Sequence, residues 1–259
     1  MTKTTTWART AGLAASMLIS LAAHAGPVKT LFLGADTGLA AVQSAIIGSD
    51  ARFDQANSGT YAAQSGTPSL ALLKQYDSIL FWSNLYPSDA SMLGNMLADY
   101  VDAGGRVVRA TFVGQEVPNA GRIASSGYAP FVSGRGDAYN SACLGSYDSS
   151  SAIMAGVSSI CASRYRGDWN NTLDVDADLV ASWDDGRAFV GINGARNVID
   201  VSLFPNAEAY GVVTGDYRQL FANALAYDGQ AGNHVPEPGS FALVGVALLG
   251  IGAARRRKA

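Results

Sequence analysis

Apolar and polar positions along the chain alternate between strand-like and helix-like patterns. Residues 28–34, VKTLFLG, form a continuous apolar run closed by glycine, as expected of a strand buried on both faces. Leu39, Val42, Ile46 and Ile47 then recur at helical spacing, which predicts a helix capped by Asp36 and ending near Gly48. Phe53 to Asn57 reads as a second short strand, and Thr67-Pro68 as the start of a short helix through Leu70, Leu72 and Leu73. Ser78 to Trp82 is again apolar on both faces. Ser88 or Asp89 starts a helix carrying Met92, Leu93, Met96, Leu97, Tyr100 and Val101, which Gly104-Gly105 should stop. Arg106 to Phe112 is the next strand.

Strands alternating with helices predict an α/β fold, a doubly wound and mostly parallel sheet with a β-rich C-terminal section. From Val113 to about Ser151 the chain is rich in Gly, Ser, Asn and Tyr without periodicity. Its length marks an insertion, expected over one end of the sheet. Three strand-like runs follow, Asp178 to Trp183, Arg187 to Ile192 and Asn197 to Leu203, the first two joined by the turn Asp184-Asp185-Gly186. A closing helix from Asp216 to Tyr227 turns Leu220, Phe221, Ala224 and Leu225 to one face.

Composition narrows the function classes. Hydrophobic residues are 48% of the 259 and charged ones 15%, which excludes a disordered chain. Six of the eighteen basic residues and one of the 21 acids lie in two terminal segments, so the middle carries twelve basic and twenty acidic residues, a net of −8. Such a surface repels nucleic acid, so none is expected as a partner.

The two ends have their own logic. Lys3 and Arg9 precede the apolar stretch Ala11 to Ala22, and Ala23-His24-Ala25 offers a small-residue cleavage site. Residues 1–25 therefore read as a signal peptide cut between Ala25 and Gly26. The other end, residues 231–259, has three parts in strict order. Val235-Pro236-Glu237-Pro238 cannot enter a helix, the apolar run Phe241 to Ala254 can enter a bilayer, and Arg255-Arg256-Arg257-Lys258 would stop transfer. This tripartite end resembles the PEP-CTERM sorting signal. The resemblance implies export across the inner membrane, transient membrane insertion through residues 239–254, and removal of the tail by an exosortase. The cell surface or an extracellular polysaccharide matrix is the implied destination.

The segment between, residues 26–230, is long enough for one sizeable core. It contains two cysteines, Cys143 and Cys161, which an oxidising compartment favours as a disulfide. It contains no histidine, since the chain's two are His24 and His234. Ser-His-Asp and Cys-His catalysis and His-rich zinc sites are excluded in their usual forms.

The phrase from Leu72 to Phe112, LLKQYDSILFW followed by LADYVDAGGRVVRATF, resembles the class I glutamine amidotransferase-like fold. So do the later segments Ile153 to Ile160, Leu179 to Gly191, Asn197 to Pro205 and Asp216 to Tyr227. The resemblance implies a flavodoxin-like sheet and, in catalytic members, Gly-x-Cys-x-Gly after the strand that ends here at Phe112. Phe112 stands where that cysteine would be, so the fold is expected and glutaminase chemistry is not.

Weaker candidates remain. Asp174, Asp176 and Asp178 have the alternate spacing of calcium ligands, but Leu179 and Asp185 occupy the positions where the calcium loop has Gly and Glu, and an acidic surface loop is the favoured reading. Gly34 to Gly38 reads as an ordinary strand-to-helix turn, and Asn170-Asn171-Thr172 as an incidental sequon. Trp82, Tyr86, Tyr128, Phe131, Tyr139, Tyr147, Tyr165 and Trp169 serve either to cover the core or to stack on sugars, the first being favoured. The expectation is thus an exported, non-enzymatic binding or assembly protein without cofactor, with exosortase and the secretion machinery as partners and exopolysaccharide as candidate ligand. A secreted hydrolase working on matrix polysaccharide through two facing carboxylates is the alternative, and a spacer behind its sorting tail is a third.

Overall fold

The first apolar run forms β1 (Thr30–Ala35), every residue of which is buried. A computed structural model describes residues 26–112, 120–131, 134–138, 140–169 and 172–229. α1 (Leu39–Ile47) turns Leu39, Val42, Ile46 and Ile47 inward. Asp36 does not cap it. Gly38 holds the cap position in the left-handed conformation, φ 73°, without a side-chain hydrogen bond.

The second strand also departs from expectation, at β2 (Gly59–Ala62) rather than Phe53–Asn57. Asp54 accepts from the Asn57 backbone and side chain, closing a turn where an extended chain was expected. α2 (Leu70–Leu73) is capped by Ser69, not opened at Thr67-Pro68. β3 (Ser78–Ser83) leads to α3 (Ala90–Asp102), whose cap Asp89 accepts from the Met92 N–H at 2.8 Å. β4 (Arg106–Ala110) completes the strand–helix alternation.

The later chain is mainly strand. It forms β5 (Gly134–Ala138), β6 (Ala142–Tyr147), β7 (Ile160–Ala162), β8 (Arg166–Trp169), β9 (Asp178–Trp183), β10 (Ala188–Ile192), β11 (Val198–Val201) and β12 (Val213–Gly215), then α4 (Tyr217–Ala226). Ten strands make one mixed sheet in the order β12-β7-β6-β9-β10-β11-β4-β3-β1-β2, while β5 and β8 pair separately. β2, β1, β3, β4 and β11 run parallel, and each pairing from β11 outward to β12 is antiparallel. The mostly parallel expectation is therefore corrected to a half-parallel sheet. Parallel pairing needs a crossover of about a dozen residues or more. The turns Asp184-Asp185-Gly186 and Asn193–Asn197 are far shorter, so they can only make hairpins.

The insertion departs from expectation in the same way. Part of it, β6, joins the sheet beside β9 rather than lying over its end. Cys143 on β6 stands opposite Cys161 on β7, and the two form a disulfide.

Two apolar layers flank the parallel half. α1 and α4 pack over Phe32, Leu80, Trp82, Val108 and Ala110. α3 covers the other face, over Leu31, Leu33, Ile79, Phe81 and Val107. β11 enters beside β4 with Asp200 opposite Arg109. Arg109 Nε and Nη2 donate to the two Asp200 oxygens at 2.6 and 2.5 Å, and Nη1 donates to the Ile123 carbonyl at 3.1 Å. Both residues are buried, Asp200 completely. Burial pushes the Asp200 carboxyl upward and Arg109 pulls against it.

A second guanidinium, Arg166, is fully buried above the Trp183 ring, 5.0 Å from its centroid. It donates to the Asn140 carbonyl and to Asp185. Burial opposes ionisation of Asp185, but hydrogen bonds from Arg166 and Arg187 outweigh it and bring the carboxyl down to about 2.

Arg109→Met leaves Asp200 buried and unpaired, and should cost about 3–5 kcal/mol in urea unfolding. Adding Asp200→Leu should recover most of that loss. Asp185, with its folded value below its unfolded one, stabilises fully above the unfolded carboxylate value of about 3.9 and loses that contribution as pH falls through about 2. Asp185→Asn should therefore flatten the fall of Tm over that acidic window, as followed by circular dichroism.

Candidate functional site

Open α/β sheets bind ligands at the carboxyl ends of their strands, where the strand order reverses. Here β1 lies between β2 and β3, which places the reversal beside β1. The residues at that edge close a circuit of contacts. Asp36, which continues β1, is 4% exposed and accepts from Trp82 Nε1 at 3.0 Å and from Asn84 Nδ2 at 3.2 Å. Asn84 follows Ser83, whose carbonyl accepts from the Phe112 N–H at 2.8 Å. The Phe112 ring lies 5.4 Å from that of Phe204. Pro205 and Asn206 come next, and the Asn206 side-chain nitrogen is 3.6 Å from where a Cβ on Gly38 would stand. Gly38 leads back to Asp36. Its left-handed backbone, φ 73°, is one that glycine adopts without strain.

Around this circuit stand exposed rings and apolar groups. Tyr86 is 68% exposed, Leu85 45% and Tyr210 49%. Tyr210 meets Tyr165 edge-on at 5.3 Å, and the Arg164 guanidinium lies 5.4 Å from the Tyr165 centroid. Gln64 Nε2 donates to the Asp36 carbonyl at 3.0 Å. The Asn206 side-chain amide bonds to none of the described residues, so its donors and acceptor are unspent. The arrangement offers amide and carboxylate hydrogen bonding beside aromatic faces.

Phe112, the residue that the amidotransferase-like resemblance aligns with a nucleophile, is 8% exposed and packs against Tyr165 as well as Phe204. The two buried carboxylates among the described residues are both engaged, Asp36 by Trp82 and Asn84, Asp200 by Arg109.

The acidic triplet does not converge. Asp174 accepts from the Gly127 N–H, which holds its carboxyl below the usual range, and from Ser126 Oγ at 2.8 Å. Asp176 takes a left-handed backbone, φ 62°, and Asp178 pairs with Arg196 at 3.0 Å. Among the described residues no group of three His, Cys, Asp or Glu side chains could hold a metal ion. Of the aromatics singled out by sequence, Trp82 is core and Tyr86 is rim. The sorting residues Val235 to Pro238, the basic residues Arg255 to Lys258, Ala25 and the apolar run 239–254 lie outside the described residues, as do Tyr139, Asn170 and Asn171. No helix among the described residues is long and apolar enough to cross a membrane.

Sequence reasoning missed Asn84, Asn206 and Tyr210. Asn84 had a faint signal, being the polar residue that follows an apolar strand at its carboxyl end. Asn206 and Tyr210 had none, because they come to this edge only through the pairing of β11 with β4.

The PEP-CTERM protein-sorting motif matches residues 234–258. This chain carries a PEP-CTERM sorting signal. The motif indicates an exported protein, processed at its C-terminus by an exosortase and destined for the surface or the extracellular space. No curated protein matches the chain. Solved structures do match its fold. A putative ThuA-like protein from Bacteroides uniformis is 14% identical, with a TM-score of 0.56 over 82% of this chain and 94% of its own. A putative GMP synthase subunit from Thermoplasma acidophilum is 12% identical, with a TM-score of 0.50 over 76% of this chain and 92% of its own. At these identities the likeness concerns the fold alone, and it agrees with the amidotransferase-like resemblance at that level.

Phe112→Cys would put a thiol where the amidotransferase-like resemblance expects a nucleophile. With no histidine between residues 26 and 229 to act as its base, it should release no ammonia from glutamine in a coupled assay.

Proposed function

We propose that this chain is an exosortase-processed surface or matrix protein whose amidotransferase-like domain is a non-catalytic binding module for extracellular polysaccharide. The observation that carries this reading is the circuit from Asp36 through Asn84, Phe112, Phe204 and Asn206. It sits at the edge where such sheets take ligands, and it holds hydrogen-bonding groups and rings in place of a thiolate and its base. Exposed tyrosines at its rim suit sugar rings, which present an apolar face and a hydroxyl edge.

The exported protein, screened by thermal shift against polysaccharide fragments, divalent cations and nucleotides, should respond to polysaccharide alone. A ligand at about 100 times its Kd adds about 2.7 kcal/mol, a rise in Tm of several degrees for a chain of this size. Asn206→Ala combined with Tyr210→Ala should abolish the rise. A response to nucleotides or none at all would overturn the reading.

A further inference from the structure

The buried polar atoms that lack a hydrogen-bond partner are not scattered. Among the described residues, Gln64 Oε1, Ser83 Oγ and Thr111 Oγ1 are three of five such atoms. Gln64 lies two residues past the end of β2, Ser83 ends β3, and Thr111 directly follows β4. The other two, Arg106 Nε and Arg166 Nη1, belong to residues at the amino ends of β4 and β8.

The register of β3 on β4, with Phe81 opposite Arg109, brings Ser83 opposite Thr111. The Phe112 N–H bond to the Ser83 carbonyl continues that register. Both residues lie on the face that carries α3, since Ile79, Phe81 and Val107 pack there. Ser83 is 1% exposed and Thr111 is not exposed at all. Unpaired buried hydroxyls are unfavourable, and they need a reason where they cluster.

We infer that Gln64, Ser83 and Thr111 are deep hydrogen-bonding residues of the crevice, and that its ligand is a neutral, hydroxyl-rich sugar rather than an anionic one. The inference rests on the binding reading above. Gln64 Oε1 only accepts and has no partner, so it requires a donor from a ligand. A phosphate or carboxylate group brings none when ionised, and Asp36 repels it. Sugar hydroxyls donate and accept, which suits the two hydroxyls equally. The rim cation Arg164 is engaged by the Tyr165 ring, 5.4 Å from its centroid. Because both hydroxyls are closed to solvent, contact requires the groups over the strand ends to part, and association is slower than for an open site.

The test titrates the exported protein with maltohexaose, cellohexaose and hexagalacturonate by calorimetry. A neutral hexamer should bind at least tenfold more tightly than the acidic one. Thr111→Val and Ser83→Ala should each raise the Tm of the ligand-free protein by about 2–4 °C, as removal of an unsatisfied buried group does in a chain of this size. Each should also weaken the neutral hexamer at least tenfold. Tighter binding of the acidic hexamer would overturn the inference and leave the polysaccharide reading standing. So would variants that lower Tm with unchanged affinity, because the hydroxyls would then be structural. If no hexamer binds, the polysaccharide reading falls and the inference with it.

Discussion

The Arg109–Asp200 ion pair joins, at the centre of the sheet, two strands that lie far apart in sequence. β1 to β4 assemble through helix-bearing crossovers over the first half of the described chain. Asp200 on β11 comes 91 residues after Arg109 on β4, and its strand must find one edge in one register. Apolar burial alone discriminates poorly between registers two residues apart, because the same face stays inward. A bidentate pair at the centre of the sheet does discriminate, since any slip strands a buried charge. The third donor of Arg109, on the Ile123 carbonyl, ties the segment after β4 to the same point.

The edge circuit depends on that alignment. Asp36, Asn84 and Phe112 come just after β1, β3 and β4 of the early half, whereas Phe204 and Asn206 follow β11. If β11 is in register, the Phe204 ring meets Phe112, and Asn206 reaches the Gly38 turn. Phe112, just past the end of β4, adds apolar contact to an edge already lined with rings.

The two halves also differ in how they hold together. The parallel half is buried on both faces by helices. The antiparallel extension shares the apolar cluster under α1 and α4 and adds specific links, among them the Cys143–Cys161 disulfide and the Arg166 cluster beside Asp185.

Much of this was legible along the chain. The apolar runs that became β1, β3, β4, β9 and β10 were evident because a strand buried on both faces needs continuous apolar residues, and the closing helix because a one-sided helix needs its periodic stripe. The terminal sorting signal was legible for a similar reason, since a receptor and a bilayer read it as linear sequence. The place of β2 was not legible, because Asp54 and Asn57 made a turn of residues that looked extended. Nor was the half-parallel sheet, as periodicity does not distinguish a crossover from a hairpin. Asn206 and Tyr210 became candidate site residues through a pairing with a strand far away in sequence. Local patterns are written in neighbouring residues, whereas a crevice forms from distant strand ends, and only the folded register brings those together.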